Sequence, residues 1–150
     1  MTEQLIHAAL HKLIEKQNLT EQEAFLAMGT IMEGKATPAQ IAAFLTALRL
    51  KGETLEEVIG FAKQMRAHAA TIQPKIQGLV DTCGTGGDGK HTFNLSTLSA
   101  LVAAGAGVPI AKHGNRDASS TCGSADLLEG LGVKIDLPPD QVQACIETVG

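Results

Sequence analysis

The chain has 150 residues, 44% of them hydrophobic and 19% charged, and a formal net charge of −4. That length suits one domain, or one small domain with part of another, and the composition is that of a folded globular chain rather than a disordered one. The acidic balance argues against a broad non-specific nucleic-acid surface, which needs clustered Lys and Arg.

The first residues, MTEQLIHAALHKLIEK, set His and acidic side chains inside an apolar stripe, so they form neither a signal peptide nor a membrane span. Three cysteines, Cys83, Cys122 and Cys145, are an odd number without CxxC spacing, which suggests neither a disulfide framework nor a zinc site. A cytoplasmic protein with reduced thiols is expected.

Residues 1–72 read as a domain of consecutive amphipathic helices. Leu5, Ile6, Ala9, Leu10, Leu13 and Ile14 recur at helical spacing in the first. Thr20 with Glu23, Thr37 with Gln40 and Thr54 with Glu57 fit the capping-box pattern, and Pro38 adds a first-turn proline. Behind those caps, three apolar sets predict one inner or interface face each: Phe25, Met28, Ile31 and Met32; Ile41, Phe44, Leu45 and Leu48; and Val58, Ile59, Phe61, Ala62 and Met65.

From residue 73 to 150 the pattern changes. Twelve of the 16 glycines lie after Pro74, and short apolar runs alternate with helical ones. Leu79 and Val80 end a first strand, Leu95 to Ala106 forms a buried helix, and Val108 to Ala111 forms a second strand. Ser124 to Leu131 forms a helix, Val133 to Ile135 a third short strand, and Pro138 and Pro139 open a last helix over Asp140 to Thr148. This order predicts the start of a mainly parallel α/β sheet. With three strands and a stop at Gly150, the sheet looks unfinished, so an N-terminal fragment is expected.

Candidate chemistry gathers at the strand ends. In Asp81 to Gly89 (DTCGTGGDG), four of nine residues are glycine, and backbone N–H groups free of a Cβ can converge on phosphate oxygens. On the loop alone, a surface turn and a dinucleotide site stay open. The GxGxxG spacing is met at Gly84, Gly86 and Gly89, but no acidic residue follows about twenty residues on. A P-loop is excluded because no GKS or GKT is present.

Asn94, Ser96 or Thr97 can cap the following helix, whose first-turn N–H groups favour an anion. Lys112-His113-Gly114-Asn115-Arg116 ends the second strand and offers charge-assisted hydrogen bonds on the same sheet edge. Ser124 adds a hydroxyl or simply caps its helix. Neither His91 nor His113 has a partner that marks it as a base or metal ligand, and no cysteine has a base at a recognisable spacing. No catalytic residue is assigned.

GTGGD at Gly84 to Asp88, TFNLST at Thr92 to Thr97, KHGNR at Lys112 to Arg116 and GSAD at Gly123 to Asp126 together resemble the anthranilate phosphoribosyltransferase family. ATPAQIAAFLTALRLKG at Ala36 to Gly52 is similar to that family's N-terminal domain. The resemblance implies a nucleoside phosphorylase/phosphoribosyltransferase type of α/β fold behind a small helical domain. It implies transfer of the phosphoribosyl group from phosphoribosyl pyrophosphate (PRPP) to anthranilate in tryptophan biosynthesis, with Mg2+ as cofactor. By the same resemblance PRPP would be bound by Gly84, Gly87, Asp88, Thr92, Asn94, Leu95, Ser96, Thr97, Lys112, His113, Gly114, Asn115, Arg116, Asp117, Ala118, Ser119, Ser120 and Ser124. Gly84 and Asn115 would also border anthranilate, and Ser96 would touch the metal.

A homodimer through the helical domain is implied too, with no nucleic-acid or membrane partner. The family's acidic magnesium pair and its anthranilate-contacting arginine lie beyond Gly150, so negligible turnover is expected from these residues alone. The alternatives are a related pyrimidine-nucleoside phosphorylase and a non-catalytic relative that binds nucleic acid.

Overall fold

The computed structural model describes residues 2–84, 93–116 and 123–149, and the chain divides into two compact units, Met1–Ala69 and Ala70–Gly150. The first unit consists of α1 (Thr2–Ile14), α2 (Glu21–Met32), α3 (Pro38–Lys51) and α4 (Leu55–His68). All three capping boxes form: at α2 the Thr20 hydroxyl accepts the Glu23 N–H at 3.3 Å, while the Glu23 carboxylate accepts the Thr20 N–H at 2.9 Å. Thr37 with Gln40 and Thr54 with Glu57 repeat the exchange at α3 and α4. Each box satisfies two N–H groups that a helix start leaves unpaired.

The core of this unit joins Ile6, Ala9 and Leu13 of α1 to Leu19, Ala24 and Ala27, and to Phe44, Leu48 and Phe61. Phe44 and Phe61 meet edge to face, with ring centroids 5.9 Å apart, which links α3 to α4. The predicted faces of α2 and α4 are inner in part: Phe61 is buried and Met28 and Ile31 pack against the core, but small and polar residues share those faces. α2 buries Ala24, Ala27, Gly29 and Thr30, and α4 buries Glu57, Gly60, Phe61 and Gln64. Met32, Val58 and Met65 are exposed, as are Ile14 of α1 and Leu45 of α3.

The physical reason is close helix packing. A Cβ placed on Gly60 would run into the backbone carbonyl of Glu21 and sit 2.8 Å from the Ala24 Cβ. Only small residues fit where α2 and α4 approach so closely, so the bulky apolar side chains are displaced from that line.

Glu57 is fully buried, yet it is charged and satisfied. One of its oxygens accepts the Leu19 N–H at 2.8 Å, and the other accepts Lys51 Nζ at 2.9 Å and the Thr54 N–H at 2.8 Å. Burial pushes this carboxyl up, but the Leu19 N–H, the Lys51 ammonium and the Thr54 N–H together hold it below its usual value of 4.5. One side chain thus closes the α1–α2 turn, the end of α3 and the start of α4.

In the second unit the described elements are α5 (Leu95–Gly105), α6 (Ser124–Gly130) and α7 (Pro139–Val149). Val80 and Ile110 form a parallel bridge, in which Val80 N–H donates to Pro109 O at 3.0 Å and Ala111 N–H donates to Val80 O at 3.1 Å. Of the first two predicted strands only this one bridge forms among the described residues, in the predicted parallel sense. The third, Val133 to Ile135, is unpaired, and no other bridge occurs among the described residues. A short apolar run becomes a strand only where an edge is there to pair with it.

α5 is half-covered rather than buried: Thr97 and Ala100 face inward, whereas Leu98, Leu101 and Val102 are exposed. α7 accepts the entering chain, with the Gln73 N–H on Gln143 and the Lys75 N–H on Glu147. No described helix is long and apolar enough to cross a membrane.

Lys51→Met leaves the buried Glu57 carboxylate without its cation, so it is expected to destabilise the helical unit by about 3–5 kcal/mol at neutral pH. Because the wild-type carboxyl is held low, its contribution is complete above the usual 4.5 and is lost as pH falls through the depressed value. The cost of Lys51→Met therefore shrinks in acid. Urea unfolding followed by circular dichroism at neutral and acid pH measures this, and a loss below about 1 kcal/mol at neutral pH, the level of a surface pair, would refute it.

Candidate functional site

The parallel bridge places two loop starts side by side at the same ends of adjacent strands. Asp81 follows Val80, and Lys112 and His113 follow Ala111. Asp81 Oδ1 accepts the Cys83 N–H at 2.9 Å and, across the strands, the His113 N–H at 3.1 Å. Solvent loss pushes this carboxyl up, but the His113 and Cys83 groups and the nearby Lys112 charge hold it below its usual 3.8.

Beside that carboxylate lies a cluster of polar side chains at the N-terminus of α5. Asn94 is the N-cap, and its Oδ1 accepts the Thr97 N–H at 3.0 Å, the Ser96 hydroxyl at 3.1 Å and the Ser124 hydroxyl at 3.3 Å. Ser96 Oγ and Ser124 Oγ are 3.2 Å apart, and Lys112 Nζ donates to Ser96 Oγ at 3.3 Å. Lys112 also donates to the His113 carbonyl at 3.2 Å. Thr82 donates its hydroxyl to the Ser96 carbonyl at 2.8 Å, fastening the first loop to the first turn of α5.

Thr97 Oγ1 is buried and has no hydrogen-bond partner among the described residues. Gly114 lies against Ser124: a Cβ there would be 2.9 Å from the Ser124 Cβ, so a side chain would force α6 away from the loop. The Asn115 carbonyl accepts the Ala125 N–H at 3.3 Å.

Sequence positions 94, 96, 97, 112, 113, 114, 115 and 124 are therefore drawn together around the start of α5, and Gly84 lies on the first loop. Leu95 is on the same turn, but its side chain is exposed. Asn94 caps α5, whereas Gly123 rather than Ser124 stands at the N-cap of α6, which frees the Ser124 hydroxyl for the cluster.

Arg116 turns elsewhere. It pairs with both carboxylate oxygens of Glu129, at 2.7 and 3.0 Å, and with Asp126 at 3.2 Å. Glu129, with Asp126 behind it, raises the guanidinium pKa further, and Arg116 in turn holds Glu129 low. The expected phosphate charge at Arg116 is thus engaged with α6, because a bidentate carboxylate partner lies within reach. Gly87, Asp88, Thr92, Asp117, Ala118, Ser119 and Ser120, like His91, lie outside the described residues.

Asp81, Thr82 and Cys83 belong to the loop expected to bind phosphate, but no individual role was expected of them there. The usable signal was positional: a polar triplet directly after one strand faces whatever follows its parallel neighbour.

Residues 7–69 match the helical bundle domain of the glycosyl transferase family, and residues 76–150 match that family's a/b domain. The chain belongs to this glycosyl transferase family, as a helical bundle domain followed by an α/β domain. Its relatives include the anthranilate phosphoribosyltransferases of Moorella thermoacetica, 59% identical, and Acetivibrio thermocellus, 60% identical, each matched over 97% of this chain. The chain spans 43% and 42% of the lengths of those two proteins. The crystal structure of anthranilate phosphoribosyltransferase from Thermus thermophilus superposes with a TM-score of 0.80 at 49% identity, over 93% of this chain and 42% of that one.

Asp81→Ala removes the acceptor that binds both loops, so the amide of His113 is expected to exchange with solvent faster than in the wild type. In the wild type the same loosening sets in only as pH falls through the depressed Asp81 value, since the carboxylate form makes the bonds. Hydrogen exchange by NMR reads this, and unchanged protection at His113 in Asp81→Ala would contradict it.

Proposed function

We propose that this chain supplies the PRPP-binding part of an anthranilate phosphoribosyltransferase, which moves the phosphoribosyl group of PRPP onto the anthranilate amine and releases pyrophosphate in tryptophan biosynthesis. The observation that carries this reading is the convergence of Lys112 Nζ with the Ser96 and Ser124 hydroxyls at the N-terminus of α5. An ammonium and two hydroxyls at the positive end of a helix make a compact anion cradle. The unpartnered Thr97 hydroxyl, buried in the same turn, is a further group for a ligand oxygen to satisfy.

Displacing pyrophosphate from the ribose builds negative charge on the leaving group and positive character on the sugar, so oriented donors serve the reaction better than an acid–base pair. Lys112, Ser96 and Ser124 meet the leaving phosphates, and Asn94 holds the two hydroxyls in place through its Oδ1. Gly84, Leu95, His113, Gly114 and Asn115 line the remaining edge, Gly84 and Asn115 toward anthranilate. Gly87, Asp88, Thr92 and residues 117–120 join the site by their place in the family's motifs. Arg116 reaches it by exchanging its Glu129 partner for phosphate.

Mg2+ fits here in one form. Ser96 offers a single neutral oxygen with an ammonium 3.3 Å away, which is too little for a standing cage. It suits an ion that arrives on pyrophosphate oxygens. When bound, Mg2+ neutralises the leaving group and leaves the chain's own residues to orient it. The exposed, unpaired thiols of Cys83 and Cys145 fit a reducing cytoplasm.

Calorimetry with PRPP tests the reading on this chain. Binding is expected to require Mg2+, and Lys112→Ala is expected to weaken it at least about tenfold, the loss of one charge-assisted contact. Absence of Mg2+-dependent binding, or equal affinity in Lys112→Ala, would sink the assignment. A homodimer through the helical unit is part of the same proposal, supported by the exposed apolar side chains Leu45, Leu55, Val58 and Met65. Sedimentation equilibrium is expected to give twice the monomer mass, and Val58→Lys with Met65→Lys to give the monomer. A wild-type monomer at micromolar concentration would refute it.

A further inference from the structure

Asp81, Cys83 and His113 place one carboxylate oxygen, one sulfur and one ring nitrogen all within 4.8 Å of one another, with all three residues exposed. We propose that these three side chains form a binding site for a borderline divalent cation of the zinc type, with a fourth coordination position open to solvent. It is a site separate from the Mg2+ that travels with phosphate.

Three features of the chain support it. The donor set is mixed: thiolate and imidazole select zinc, cobalt or copper ions and are poor ligands for magnesium, which prefers hard oxygens. The three backbones are already held together, because Asp81 Oδ1 accepts the N–H of both Cys83 and His113. Only side-chain rotations at the surface remain to shorten the ligand separations to those of a tetrahedral ion, and exposed side chains make them freely. Spacing also fits: Asp81 and Cys83 come from one strand end and His113 from its parallel neighbour, so the ion clamps the two loops that the Val80–Ile110 bridge leaves side by side.

Binding releases one proton, as the Cys83 thiol becomes a thiolate bonded to the metal, and that proton goes to solvent. The nearby Lys112 ammonium opposes the incoming charge and limits affinity. This inference does not depend on PRPP, and its test uses none.

Cobalt(II) titration of the full 150-residue chain is the experiment. One equivalent is expected to give a thiolate-to-cobalt charge-transfer band that stoichiometric zinc abolishes. Cys83→Ser, an exposed substitution, is expected to remove the band, while Cys145→Ser retains it. His113→Ala is expected to weaken cobalt binding at least about tenfold. Circular dichroism of each variant establishes that the helices persist. No saturable band in the wild type, a band that survives Cys83→Ser, or unchanged affinity in His113→Ala would each overturn the proposal.

Discussion

The site depends on one carboxylate. The Val80–Ile110 bridge rests on two backbone hydrogen bonds, from Val80 to Pro109 and from Ala111 to Val80, which is little to hold two loops in register. Asp81 extends that pairing by a residue's length beyond the bridge, because its Oδ1 takes the His113 N–H from the neighbouring loop and the Cys83 N–H from its own. With His113 fixed, Lys112 is fixed, and its ammonium comes within 3.3 Å of Ser96. The chain from strand pairing to anion cradle therefore passes through a single acceptor atom.

The helical unit uses the same device in a different medium. Glu57 takes the N–H groups of Leu19 and Thr54 and the ammonium of Lys51. It is completely enclosed, whereas Asp81 stays exposed. Enclosure makes the Glu57 pair costly to break, since removing one partner strands a charge away from water. Exposure makes Asp81 cheaper to disturb and accessible to ligands. A buried carboxylate that stitches turns is a structural part, and an exposed one that stitches loops can also take part in binding.

What was legible in the sequence follows the range of the interactions concerned. Thr20, Thr37 and Thr54 announced their helices because a capping box spans three residues and is written entirely in local sequence. Asn94 was among three possible caps, and it takes the place by accepting the Thr97 N–H. The faces of α2 and α4 were legible in part, through Met28, Ile31 and Phe61, but apolar spacing does not register how near another backbone comes: Gly60 and Ala24 mark that approach, and Glu57 and Gln64 are buried where Val58 and Met65 stay exposed. Val133 to Ile135 has strand composition without a strand partner. The pairing of Arg116 with Glu129, thirteen residues away, was not legible, because no local pattern marks it.

The distribution of donors around the two strand ends separates two kinds of chemistry. Toward α5 stand Asn94, Ser96, Ser124 and Lys112, all hard, neutral or cationic groups that attract phosphate and tolerate a magnesium ion only as part of it. Toward the loop stand Asp81, Cys83 and His113, a softer set that discriminates in the opposite direction. Lys112 belongs to the first set by its bond to Ser96 and borders the second through its charge on Asp81. Its ammonium therefore couples them: a cation on the loop side and the ammonium repel one another, and an anion on the α5 side relieves that repulsion. Occupation of the two sides is linked in sign by Coulomb's law alone, with each favouring the other when the ligands carry opposite charge.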